Sequence, residues 1–304
     1  MLDPRQLQAL EAVAAEGSVA RAARRLGWSQ PTVDYHLKAL DRLVGAPLTV
    51  RGARGSGLTA AGALMLERGS EILALSARAL ADVREFAHVG RTRLRFGSFP
   101  TAAAQLLPGI VARLAEVGIE LDVVLEEIAP LVARVNQHTL DAALVYTASG
   151  YPLPFRSEVH TTHLLTDPLL LALPATHPAA GVERFDAAGL LELDEASWVF
   201  SATPGDTLDE VVRDAFAAAG RPLEAKIRTD DYSVALGMVA AGMGVALVPR
   251  LATGHVPDGA VLRPIDDPRF AREIMLASAG GGASPAPAVR QLAEAVRRTI
   301  SALG

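Results

Sequence analysis

Two periodicities divide the chain. Up to about residue 90 apolar residues recur every three or four positions, as on one side of a helix; from Thr92 onward, strand-length apolar runs alternate with helix-length stretches. Leu94–Gly97, Glu120–Glu126, Asp141–Tyr146, Leu169–Leu173, Trp198–Phe200, Leu223–Arg228, Val245–Val248 and Arg272–Ala277 read as strands. Between and after them Ala102–Glu116, Pro130–Gln137, Leu208–Ala219, Tyr232–Ala241 and Pro287–Ala302 read as helices. Such alternation predicts a parallel sheet in an α/β domain. With 304 residues the chain has room for a further domain before it.

The first 58 residues predict three short helices and a hairpin. Asp3 can cap a helix with Pro4 at its first position, where a missing N–H costs nothing. Gly17 ends that helix, Ser18 caps Val19–Leu26, Gly27 makes a turn, and Ser29 caps a third helix to about Val44. Val33, Leu37, Leu40 and Val44 form an apolar stripe, leaving Pro31, Thr32, Tyr35, Lys38 and Arg42 on the opposite face. This is the helix-turn-helix pattern. Pro47–Leu58 reads as a wing, two short extended pieces around a loop rich in Gly and Arg. Thr59 then caps a long helix to about His88, in which Met65, Ile72, Ala79 and Phe86 repeat every seven residues. That repeat predicts a dimerisation helix packed along a partner helix, in preference to one lying on its own domain.

A net charge of -5 argues against nucleic acid until it is divided. Residues 1–58 carry +3, residues 59–90 carry -1 and the remainder -7. The basic end is therefore the helix-turn-helix end. The chain has no cysteine, which excludes disulfide scaffolds, thiolate metal sites and cysteine nucleophiles. No leader pattern opens it and no run of about 18 apolar residues interrupts it, so a cytoplasmic protein without a membrane span is expected.

Gly17-Ser18, Ala22-Ala23, Leu26, Ser29-Gln30-Pro31, Leu37, Leu40, Leu48, Arg51, Arg54, Leu58-Thr59 and Ala61-Gly62 together resemble the N-terminal domain of LysR-type transcriptional regulators. Gly97-Ser-Phe-Pro-Thr-Ala102 with Pro108, Asp141-Ala-Ala-Leu-Val145, His177-Pro178 and Val239–Pro249 follow as the family's later landmarks, in order. The chain departs from the family at Asp34, where a small hydroxyl residue is usual, and at Thr49, where an aromatic is usual. The resemblance implies a winged helix-turn-helix (1–58), a linker and dimerisation helix (59–90) and an effector domain like a periplasmic binding protein (91–304). Lobe I of that domain would span 91–162 and 269–304, and lobe II 163–268. It also implies dimers of dimers, an organic carboxylate as effector, and RNA polymerase as a further candidate partner. It implies no cofactor, no metal and no enzymatic activity.

The expected DNA contacts are Ser29, Gln30, Pro31, Thr32, Asp34, Tyr35, Lys38, Arg42, Arg51 and Arg54. Gln30 can pair with adenine and Tyr35 can touch a thymine methyl or a phosphate. Lys38 and Arg42 suit phosphates, while Arg51 and Arg54 suit a narrow minor groove. Asp34 can accept from cytosine or bond a neighbour. The expected effector contacts are Ser98, Thr101, Tyr146, Thr147, Ser201 and Thr203, hydroxyls at strand ends and helix starts. Asp230 is expected to cap the helix at Tyr232. Rival readings are weaker. Gly242-Met-Gly244 lies between a helix and a strand, the wrong order for a nucleotide loop, and no Gly-x-Ser-x-Gly elbow is present. His160 and His163 fall on an extended segment that points them apart. A transporter's solute-binding protein would lack the helix-turn-helix, and an architectural DNA binder would need no hydroxyl-lined cleft.

Overall fold

The computed structural model describes residues 1–52, 55–89, 91–193, 197–223, 227–279 and 286–302. The chain divides into two compact units, Met1–Arg91 and Thr92–Gly304.

The first unit contains α1 (Pro4–Glu16), α2 (Val19–Leu26), α3 (Gln30–Val44), a hairpin of β1 (Thr49–Gly52) and β2 (Gly55–Leu58), and α4 (Ala60–Val89). Local chemistry fixes the helix ends. The Asp3 carboxylate accepts from the Arg5 N–H while the Gln6 side chain accepts from the Asp3 N–H, a capping box. Gly17 closes α1 in the left-handed conformation at φ 62°, which its missing side chain permits. The Ser29 hydroxyl accepts from the Thr32 N–H, and Thr59 Oγ1 accepts from the Gly62 N–H. Leu7, Leu10 and Val13 of α1 meet Ala22, Ala23, Val33, Leu37, Leu40 and Leu48 in a closed core. Each large aliphatic side chain buried there stabilises the unit by roughly 1.5–3 kcal/mol.

The long helix α4 packs in part on its own unit. Leu66 and Leu73 pack on that unit's core, and Met65 is partly buried at the edge of their stripe, on the arc that also carries Ile72 and Ala79. Positions seven apart differ by only about 20° around the helix. Gly62 and Gly69 make this packing close: a Cβ on Gly62 would stand 1.9 Å from the Leu48 carbonyl oxygen, and one on Gly69 2.8 Å from Leu7 Cδ2. Ile72 (41% exposed) and Ala79 lie outside this buried stripe, and Leu64, Leu75 and Val83 share their arc of the helix. The Phe86 side chain lies outside the described residues.

The second unit contains β3 (Thr92–Ser98), α5 (Pro100–Ala115), β4 (Ile119–Leu125), α6 (Ile128–Asn136), β5 (Ala142–Ala148), β6 (Val159–Pro174) and α7 (Ala187–Leu191). There follow β7 (Trp198–Phe200), α8 (Thr207–Ala218), β8 (Ile227–Arg228), α9 (Tyr232–Ala240), β9 (Val245–Pro249), β10 (Ala260–Pro264), β11 (Ala271–Ala279) and α10 (Pro287–Ser301). The strands order β4-β3-β5-β11-β6-β9-β7-β8, with β10 also on β6. β3 with β4 and β5, and β7 with β8 and β9, are parallel. Every ladder of β6 and β11 is antiparallel, so the sheet is mixed rather than purely parallel.

β6 is the reason. It pairs with β11 over Val159–Pro168 and with β9 and β10 over Leu169–Pro174, running through both lobes as one strand. It passes from one lobe to the other at Pro168–Leu169, not at 163. The Asp141 carboxylate binds the backbone N–H of Arg95 and, bidentately, its guanidinium at 3.0–3.2 Å, tying the start of β5 to β3.

Candidate functional site

Two candidate sites arise, one in each unit. On α3 the buried stripe Val33, Leu37 and Leu40 leaves Gln30, Pro31, Thr32, Tyr35, Lys38 and Arg42 exposed together, with Tyr35 64% exposed. Ser29 sits at the cap, its hydroxyl 2.8 Å from that of Thr32. Arg42 donates from Nε to the Lys38 carbonyl, which lays it along the helix. Asp34 is half-buried and engaged with a neighbour. His36 turns inward, only 8% exposed, with its ring 5.3 Å from that of Trp28, which removes it from any contact made by this face. Arg51 stands on β1, but its side chain, like all of Arg54, lies outside the described residues.

In the second unit a narrow cavity of about 60 Å³ lies beyond the strand ends. Its walls come from the starts of α5 (Phe99–Thr101), α6 (Glu127), α8 (Asp206–Asp209) and α9 (Thr229–Tyr232), from Tyr146 of β5, from the end of β7 and from Arg272 of β11. Of the hydroxyl residues expected to contact an effector, Thr101, Tyr146 and Ser201 line it. Ser98, Thr147 and Thr203 do not. The Ser98 hydroxyl is buried against the Phe99 carbonyl, and Thr147 Oγ1 donates to the Tyr151 carbonyl. Thr203 donates its hydroxyl and its N–H to Asp230.

Asp230 itself is not the cap of α9. Asp231 takes that place, accepting from the N–H groups of Ser233 and Val234, and Asp230 gathers the Ser201–Thr203 turn instead. The bonds to Ser201, Thr203 and Ala202 outweigh burial and hold the Asp230 carboxyl below the usual range.

The centre of the cleft is a residue that strand patterning overlooked. Arg272 is fully buried. Its Nε donates to Asp167 Oδ2 at 2.9 Å and its Nη2 to Thr101 Oγ1 at 3.0 Å, while the guanidinium carbon stands 4.9 Å from the ring centroids of both Phe99 and Tyr146. Nη1 has no hydrogen-bond partner and is buried. The signal in the sequence was phase: Arg272 shares the face of β11 occupied by Ile274 and Leu276, both buried, where a charge is out of place.

Carboxylates ring the same cavity. Asp206 caps α8 and accepts from the Tyr146 hydroxyl at 2.9 Å. Asp209 accepts from the Ser201 N–H, and burial together with Asp206 pushes its carboxyl up to about 7. Burial, with Asp230 and Asp206, also raises Glu127. Tyr146 is raised well above the usual phenol range, first by burial and then by Tyr232 and Asp206.

An exposed, polar second helix of a helix-turn-helix, carried with a two-lobed α/β unit holding a charged interlobe cleft, defines a DNA-binding regulator with an effector domain. Family comparison agrees. The bacterial regulatory helix-turn-helix protein, lysR family, matches residues 4–63, and the LysR substrate binding domain matches residues 87–301. The chain belongs to the LysR family of transcriptional regulators. The small neutral protease regulatory protein of Streptomyces coelicolor is 32% identical over 278 residues, 91% of this chain and 82% of that protein. CbnR in complex with its target DNA superposes with a TM-score of 0.57 at 24% identity, covering 98% of this chain and 100% of that one. A full-length OxyR variant from Pseudomonas aeruginosa gives 0.60 at 23% identity, covering 98% and 95%. These relatives are regulators rather than enzymes. Among the described residues no helix is long and apolar enough to cross a membrane.

Proposed function

We propose that this regulator binds a two-fold related DNA site as a homo-oligomer and changes its DNA-bound state when a carboxylate-bearing small molecule fills the interlobe cleft. Gln30 and Tyr35 read base edges, while Lys38, Arg42, Arg51 and Arg54 hold phosphates or the minor groove. A domain with only +3 supplies few phosphate contacts, so one copy binds weakly. Pairing through the exposed arc of α4 presents two copies at high effective concentration. Two such pairs form the tetramer that the family resemblance implies.

The observation that carries the effector assignment is Nη1 of Arg272, a buried guanidinium donor without a partner at the edge of a cavity. A buried donor left unmade costs about 1–3 kcal/mol, and a carboxylate in the cavity would satisfy it. Thr101 and the first turn of α5 stand beside it. The experiment is selection of random duplex DNA by the purified protein at low salt, with and without a carboxylic-acid library. Enrichment of a two-fold related sequence, lost in Tyr35→Ala and altered in footprint by at least one acid, is the expected result. Enrichment of no such sequence overturns the DNA-binding assignment. Footprints unchanged by every acid overturn the effector assignment.

A further inference from the structure

Arg272 accounts for one end of a ligand; the rest of the cavity has the opposite sign. Glu127, Asp206, Asp209 and Asp230 all line it. Asp230 is saturated by the Ser201–Thr203 turn, and Asp209 carries a carboxyl displaced to about 7, so it is in part neutral. Two acceptors remain. Glu127 stands at the start of α6 with no side-chain cap bond, and its carboxylate has no hydrogen bond or ion pair with another described residue. Asp206 accepts one bond on each oxygen, from the Leu208 N–H and the Tyr146 hydroxyl, which leaves a lone pair on each.

The two signs are held apart by one ring. The guanidinium of Arg272 lies over the Tyr146 ring, and the hydroxyl of that tyrosine reaches Asp206. Arg272 already neutralises Asp167, so it brings no excess positive charge to the cavity. A plain carboxylate satisfies Nη1 but leaves its own charge beside Glu127 and Asp206; a dicarboxylate compounds the repulsion.

Building on the carboxylate assignment, we infer that the effector is zwitterionic, an amino acid or another amine-bearing carboxylic acid. Its carboxylate takes Arg272 Nη1 beside the Thr101 hydroxyl, and its cationic nitrogen takes Glu127 and Asp206. The ring faces of Phe99 and Tyr146 and the apolar side chains of Leu208 and Val212 cover the carbon skeleton between.

The test is calorimetric titration of the full-length protein with matched sets. These are the twenty amino acids and γ-aminobutyrate, each compared with the acid lacking the amine and the amine lacking the acid, and with succinate as dicarboxylate. At least one amino acid is expected to bind on the order of tenfold or more tighter than its deaminated acid, the worth of one charged hydrogen bond. Glu127→Gln should shrink that ratio severalfold, weakening the amino acid while the deaminated acid, relieved of a like charge, binds as tightly as before or tighter, and Thr101→Val should weaken both. If deaminated acids or succinate bind as tightly as any amino acid, and Thr101→Val still weakens them, the zwitterion falls and the carboxylate assignment stands. If no acid binds, with or without nitrogen, or Thr101→Val changes nothing, both fall.

Discussion

Arg272 is a fully buried charge whose Nε and Nη2 are met by Asp167 and the Thr101 hydroxyl and whose guanidinium stands beside two aromatic rings, while Nη1 has no partner. Burial raises the Asp167 carboxyl, and Arg272 opposes the rise most strongly. Arg272→Gln therefore leaves a buried carboxylate without its cation and should destabilise the second unit by about 3–5 kcal/mol in urea unfolding at neutral pH. Adding Asp167→Asn to Arg272→Gln should recover part of that loss, because the two changes are coupled. Asp209 makes a different prediction. Its folded pKa, about 7, lies above the ordinary carboxylate value of 3.8, so the folded state binds the proton more tightly than the unfolded chain. Its contribution is most favourable below about pH 4 and is lost as pH rises through 7. Asp209→Asn should flatten the thermal-stability profile between pH 5 and 8, and an unchanged slope would assign that dependence elsewhere.

At the scale of elements, the contact between α4 and the β1 hairpin turns on Gly62. A Cβ there meets backbone, the Leu48 carbonyl, which cannot rotate away. Gly62→Ala should cost about 1–3 kcal/mol, read as a lowered Tm of the first unit. The opposite arc of α4 makes the complementary prediction: Leu75→Glu with Val83→Glu, both at exposed positions, should leave the Tm alone but shift sedimentation toward monomer. Helix ends were the most legible feature of the sequence, since Asp3, Gly17, Ser29 and Thr59 act within three or four residues of themselves. What escaped depends on distant partners. The five residues of α7 and the strand β10 have no period of their own to read, and β10 is a strand because β6 offers it an edge. The first half of β6, His160 to Thr166, is polar and reads as strand only once β11 lies beside it. In the cleft, the hydroxyl residues Thr101, Tyr146 and Ser201 line a cavity built around Arg272, an arginine on a core face that the pattern of hydroxyls in the sequence does not mark. The exposed polar face of α3 was readable because a helix that buries one stripe must expose the other.

The whole molecule is acidic, and its reader is not. With -7 on residues 91–304, stray attraction of the second unit for DNA is disfavoured, so salt should act on the helix-turn-helix contacts alone. Plotted as log affinity against log salt, binding should fall by about 0.9 per phosphate contact. Lys38→Ala should make that slope shallower by about 1 per copy and weaken all sequences alike, whereas Gln30→Ala should relax preference at one base pair without changing the slope.

Arg272 and Asp167 are directly opposed in the β11–β6 ladder, one residue before β6 leaves the first lobe at Pro168. Any rocking of the lobes must bend this strand, and a group on the pivot travels least while those at the rim travel furthest. On the proposed carboxylate assignment, the anion anchor would move least as the lobes rock, while Asp206 and Asp209 on α8 would move more and would loosen the bond from the Tyr146 hydroxyl to Asp206. A ligand would be caught by its acid group first and weighed by its other end as the jaw shuts. On that assignment, discrimination between effectors would belong to the lobe carrying α8, and capture to the strand pair at the hinge.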